Sequence, residues 1–219
     1  MYNLFFELLR VSLGTQQTLT IAPTEEQWNF IYKTAVKQTV AGVAFSAIEK
    51  LPKEQRPGRK VLIPWYMKVE KIAEKNRLLN CRTKQTIDFF KENGFDCCIL
   101  KGQGLTLLYP NPLLRNPGDI DIWLSGGRDH VYNFARNKVG LQGVTYQHIH
   151  YPLHKDVEVE VHVTPGRLFA PIENRELQRY FETCSEEQFL HEVDLPEEAG
   201  CISVPTDEFN RVYILLHIY

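Results

Sequence analysis

The sequence has no apolar run approaching the roughly 18 residues that cross a bilayer, which excludes a membrane-spanning helix on hydropathy. Its N-terminus, MYNLFFELLR, is interrupted by Glu7 and Arg10 instead of opening into the apolar centre of a signal peptide, so the chain reads as cytoplasmic. Cysteine is sparse and unpatterned. There are 5, an odd number, with no C-x-x-C pair, and Cys97 and Cys98 sit together in the apolar run CCIL. A disulfide framework is thereby excluded, and buried, reduced thiols are expected. An excess of one charge is also missing: 25 Lys and Arg face 27 Asp and Glu, interleaved, for a net charge of -2. Such a balance gives no overall pull towards an anionic membrane, disfavours a long nucleic acid, and requires any anionic substrate to be held locally. There is no internal repeat, no low-complexity tract and no G-x-S-x-G elbow. Gly102 and Gly104 do not begin a dinucleotide fingerprint, because Leu107 stands where the third glycine would be.

What is present suffices for a real core. At 219 residues and 43% apolar, the chain suits one large domain or two small ones. Residues 1–93 read as a helical region. Thr24 is placed to cap EEQWNFIYKTAVKQTVAGVAFSAIEK, in which Trp28, Ile31, Tyr32, Ala35, Val36 and Thr39 recur at helical spacing, predicting one long amphipathic helix. Residues 51–60 carry prolines and charges and read as an exposed connection. A second long helix is expected from Pro64 to Asn93, with Gly94 ending it. Its basic residues are either an anion-binding face or a solvated face balanced by Glu70 and Glu74.

Residues 94–205 change texture. FDCCIL reads as a buried strand, LKGQG as a turn, LTLLY as a short helix, GDIDIWL as a strand, and RDHVYNFARNK as a helix. GVTYQHIHY and VEVEVHV should then pair as a hairpin around PLHKD. In the latter, Val157, Val159, Val161 and Val163 alternate with Glu158, Glu160 and His162, so one face is apolar and the other polar. A helix near residues 174–182, strands FLHEVDL and CISVP, and a helix from Thr206 and Asp207 complete the pattern. Residues 206–219 form the start of that C-terminal helix, still apolar where the sequence stops, which implies a native chain extending beyond Tyr219. The fold class is α/β (α+β), a small mixed sheet flanked by helices.

The chemistry centres on Asp119 and Asp121, which a strand places on one face about 7 Å apart. With a further carboxylate from Glu158 or Glu160 on a neighbouring strand, three acids would meet and repel unless cations neutralise them. Hard oxygen donors suit Mg²⁺ or Mn²⁺. The glycine-bearing turn before them, with Lys101, suits a phosphate. His148, His150, His154 and His162 could instead gather Zn²⁺, although no cysteine or second H-x-H completes a known spacing.

Lys101-Gly102, a short helix ending in LLYP, Arg115, GDIDIW and an E-x-H strand together resemble the nucleotidyltransferase superfold shared with DNA polymerase beta. The closest likeness is to the uncharacterised bacterial nucleotidyltransferases with KG, R, D-x-D and E-x-H in this order, and the abortive-infection nucleotidyltransferases have a similar layout. The likeness covers residues 95–165. It implies an enzyme moving a nucleoside monophosphate from an NTP such as ATP to an acceptor hydroxyl, or a non-catalytic nucleotide- or partner-binding module on the same fold. Asp119, Asp121 and Glu160 would be the catalytic metal ligands for Mg²⁺ (or Mn²⁺), with Glu160 a better match than Glu158. Lys101, Gly102, Gln103 and Arg115 would bind nucleotide, Arg115 either touching the triphosphate or pairing with an aspartate. Gln103 departs from the small residue usual there. His162 and Glu158 would support the ligands from behind. Acceptors across the superfold include sugars, antibiotics, tRNA ends and protein side chains, and neither the acceptor nor the base is readable here.

Overall fold

Helices form wherever apolar residues repeat at helical spacing and a cap is available. The structure, a computed structural model, describes residues 1–139, 144–145 and 147–218, apart from the side chains of the last two. Gly143 and Tyr146 of the expected strand GVTYQHIHY, and the terminal Tyr219, lie outside the described residues. The N-terminal region contains α1 (Tyr2–Ser12), α2 (Glu25–Lys37), α3 (Ala41–Ser46) and α4 (Arg59–Glu92).

Thr24 caps α2 as expected. Its hydroxyl accepts from the Gln27 N–H, and the Gln27 side chain accepts from the Thr24 N–H at 2.9 Å, a reciprocal capping box. The single long helix predicted after Thr24 does not form. It breaks between α2 and α3, where Thr39 adopts φ 57°. The break lets Gly42 of α3 pack on the 3₁₀ turn Pro112–Leu114, so closely that a Cβ on Gly42 would lie 2.1 Å from the Leu114 carbonyl oxygen. The helix expected from Pro64 starts at Arg59. It ends as foreseen at Gly94, φ 85°, whose N–H donates to Lys91 while Phe95 N–H donates back to Phe90.

The chain divides into two compact units. One comprises Met1–Leu78 with Thr106–Pro117, and the other Leu79–Leu105 with Gly118–Tyr219. The first is built around Leu8, Trp28, Ile31, Ala44 and Trp65, all essentially water-free, with the Trp65 indole donating to the Ala41 carbonyl at 2.9 Å.

The second unit holds a four-stranded mixed sheet and a small two-stranded one. In the first, β1 (Cys97–Leu100), β2 (Ile120–Leu124), β3 (His148–His150) and β4 (Val159–His162) lie in the order β1-β2-β4-β3. β2 runs antiparallel to β1 and parallel to β4, and β3 closes the edge antiparallel to β4, the expected hairpin. One face buries Ile99, Ile122, Val161 and Ile149 against Ile87 and Phe90 of α4 and against Val131 and Ala135 of α5 (Gly127–Val139).

On the other face, Cys98, Leu100 and Trp123 pack under Phe181 and Phe189 of α6 (Pro171–Leu190) and Phe209 and Tyr213 of α7 (Asp207–Ile218). The strand expected over FLHEVDL forms only at Glu192–Asp194, because its first residues continue a helix. Phe181, Gln188 and Phe189 are buried at helical spacing, so α6 runs on to Leu190. Only β5 (Glu192–Asp194) is extended, paired with β6 (Cys201–Ser203). The short helix expected over LTLLY belongs to a 3₁₀ helix, Gly102–Leu108.

Two outcomes follow from this packing. Gly42→Ala should lower the denaturant midpoint by the equivalent of about 1–3 kcal/mol, as overpacking against backbone does. Gly58→Ala, where a Cβ meets nothing within 4 Å, should shift it by less than about 0.5 kcal/mol. In thiol labelling of native protein at mildly alkaline pH, exposed Cys81 should react at once. Cys97, whose thiol burial pushes up to about 12, and Cys98 should react only after unfolding.

Candidate active site

The polar face of the four-stranded sheet follows from strand parity. Asp121 and Trp123 share a face of β2, Glu160 and His162 the same face of β4, and His148 and His150 that of β3. The register aligns them as two rows. Leu100, Asp121, Glu160 and His150 are successive neighbours across the strands, and so are Cys98, Trp123, His162 and His148. The apolar ends of the rows lie beneath α6 and α7, while the acids and imidazoles occupy the other end.

Asp121 is the most enclosed of these acids. One carboxylate oxygen accepts from His162 Nε2 at 2.9 Å, and the other lies 3.3 Å from the Lys101 ammonium. Burial alone pushes this carboxyl up, but the His162 bond and the Lys101 charge outweigh it and hold the group below its ordinary value. Glu160 Oε2 is 3.7 Å from the same His162 nitrogen. His162 holds Glu160 below the usual carboxylate range against the opposing effect of burial, with help from His148. Burial works against a charge on His162, yet Asp121 and Glu160 overcome it and raise the imidazole above its ordinary value. Its Nδ1 is buried with no hydrogen-bond partner among the described residues.

Ligand atoms of Asp121, Glu160 and His162 all lie within 4.8 Å of one another, so the trio could hold a metal ion. Asp119, just before β2, is not one of the three, although its carboxyl is raised first by burial and then by the Asp121 and Glu160 charges. Glu158 points to β3, with Oε1 2.7 Å from His150 Nδ1, and its backbone carbonyl accepts from Ile120 N–H at 3.0 Å, fixing where β2 begins.

The turn after β1 is backbone-strained. Lys101 adopts φ 52° and Gly102 φ 38°, a region that costs a side-chain-bearing residue about 1 kcal/mol or more. Gly104 packs closely on the second sheet's edge, where a Cβ would lie 3.0 Å from Val204 Cγ1 and press that side chain aside. The Gln103 side chain is buried and donates to Asn80 Oδ1 on α4. Arg115 belongs to the other compact unit, where its guanidinium donates to the Asn116 carbonyl at 3.4 Å.

Lys101, Asp121, Glu160 and His162 thus lie together on the sheet's polar face. Two contributors had no signal at the level of motif. Asn80 is a lone polar residue in a helical pattern. Tyr213 is an aromatic in an apolar helix, and its phenol is pushed well up by burial and then by the Asp121 charge.

A family model described as "Uncharacterised nucleotidyltransferase" matches residues 24–219. No curated protein and no solved structure matches the chain. Among the described residues, no helix is long and apolar enough to cross a membrane.

The charge balance predicts a pH-dependent stability for metal-free protein. His162 is raised, so its contribution is complete below pH 6.5 and is lost as pH rises through its higher folded value. Asp121 and Glu160 are lowered, so theirs is present above 3.8 and 4.5 and is lost as pH falls through the folded values. In urea titrations with EDTA, wild type should exceed His162→Gln by about 2 kcal/mol just below pH 6.5, the worth of a charge-assisted bond, and the gap should narrow at alkaline pH. A gap independent of pH would contradict the assignment.

Proposed function

The chain belongs to the uncharacterised nucleotidyltransferase family, and on that premise we propose that it transfers a nucleoside monophosphate from an NTP to an acceptor hydroxyl, releasing pyrophosphate. The observation that carries this reading is the convergence of Asp121 and Glu160 from parallel neighbouring strands, with Lys101 at the end of the next strand over.

The residues fit a hard divalent cation. Two carboxylates already lie within ligand distance of each other, and their charge is balanced by Lys101 and His162 in the protein alone. Asp121 and Glu160, with Asp119 at the near end of β2, would hold Mg²⁺ or Mn²⁺. Bound there, the ions supply neutralisation of the phosphate charge and a lower pKa for the acceptor hydroxyl.

The side chains divide the remaining work. Lys101 exchanges Asp121 for the β and γ phosphates, and the strained backbone at Lys101 and Gly102 fixes where its ammonium starts. Gln103 anchors the turn to α4 through Asn80. The acceptor oxygen attacks the α-phosphorus, and the bond from that phosphorus to the bridging oxygen breaks as pyrophosphate leaves with the electron pair. The hydroxyl proton passes to Glu160, whose side chain is 18% exposed against 5% for Asp121. His162 keeps Asp121 ionised and aligned. A cleft of about 490 Å³ lined by Gln147, His148, Arg167, Phe169 and Tyr213 offers apolar and basic groups to an acceptor or a base.

Incubation with Mg²⁺, α-labelled NTPs and cell extract tests the proposal. Wild type should transfer label, and Asp121→Asn should do so about a thousandfold more slowly. Absence of transfer by wild type, or equal transfer by the variant, would leave the non-catalytic alternative.

A further inference from the structure

Glu160 has a second set of neighbours, on the side away from Asp121. His148 Nδ1 lies 3.7 Å from its Oε2, and His150 Nε2 lies 3.9 Å from its Oε1. Ligand atoms of the three residues all fall within 4.8 Å of one another. The hairpin dictates this grouping. His150 is the cross-strand neighbour of Glu160, and His148 is two residues back on the same face. Donors that bind one ion at about 2.0–2.2 Å stand about 3–4.5 Å apart, so only small side-chain movements separate this arrangement from a coordination shell.

A separate contact shows that one imidazole is already prepared as a ligand. His150 Nδ1 sits 2.7 Å from Glu158 Oε1. Two lone pairs could not approach so closely, so Nδ1 carries the proton, and in the neutral ring Nε2 presents its lone pair towards Glu160. A carboxylate behind the distal nitrogen is the arrangement that orients metal-bound histidines and makes them more basic. The side chains of His148, His150 and Glu160 are 22%, 39% and 18% exposed, sheltered but open enough for an ion to enter and keep a water.

We propose that His148, His150 and Glu160 form a transition-metal site, distinct from the Asp121 centre except for the shared Glu160. Two imidazole nitrogens and one carboxylate select borderline ions such as Zn²⁺, Co²⁺ or Ni²⁺ over Mg²⁺, which prefers an all-oxygen shell. Glu158 is a positioning residue for this site, acting through His150. Nothing in this assignment depends on nucleotidyl transfer.

The test is Co²⁺ titration of the full, untagged chain stripped with EDTA, followed by visible d–d absorption and displaced with Zn²⁺. Wild type, titrated without Mg²⁺, should bind one Co²⁺ with an absorption typical of nitrogen ligation. His148→Gln and His150→Gln should each weaken binding more than about tenfold, and Glu158→Gln by about tenfold, the usual cost of losing an outer partner. Because His150 and Glu158 are at the exposed edge, at least these two variants should fold, as circular dichroism would verify. Asp121→Asn should bind Co²⁺ as wild type does. The inference is overturned if wild type shows no such absorption, if the His148→Gln and His150→Gln variants bind as wild type, or if Asp121→Asn abolishes the signal, which would place the ion in the neighbouring trio.

Discussion

Asp121 is only 4% exposed, and a carboxylate so enclosed is sustained only because cationic groups reach it from both sides. The two come from different strands: His162 from β4 and Lys101 from the residue following β1. β2 must therefore lie between β1 and β4, and that is the strand order observed. The parity of β4 is fixed by the same demand. Val159 and Val161 can enter the core only while Glu160 and His162 face Asp121, so apolar packing and charge compensation select one register.

Trp123, two residues beyond Asp121, divides the polar face from the covered one. Its ring meets Phe189 at 4.8 Å and stacks on Phe209 at 5.9 Å, closing the sheet beneath α6 and α7. The dry aromatic cluster lowers the effective dielectric beside the acids, which strengthens the pairing among Asp121, His162 and Lys101 and raises the cost of leaving any of them alone. Site and core are two ends of the same rows of residues.

The sequence made local features legible and left the long-range ones hidden. The alternation in GDIDIW and VEVEVHV identified the faces, because parity depends on nothing outside the strand. The Thr24 cap and the Gly94 stop were readable for the same reason. The break at Thr39 was not, since it serves an approach of Gly42 to Leu114, far along the chain. FLHEVDL suits either period, and only the burial of Phe181 and Phe189 on one helical face decides in favour of α6. Gln103 departs from the small residue expected in a phosphate turn, and the reason is hidden in sequence because its partner Asn80 lies on a different element. The family match over residues 24–219 extends well beyond the motif-bearing third, so the helical N-terminal region from α2 onward belongs to the family's pattern too.

Lys101 occupies a backbone conformation that glycine would take more cheaply, and Gly102 beside it does take it. A glycine there would relax the turn and leave Asp121 short of a cation, whereas an uncharged side chain would keep the strain without supplying the charge. The position thus has no substitution that improves folding without unbalancing the acids. In design terms it is a point of frustration, where the most comfortable backbone and the required electrostatics ask for different amino acids.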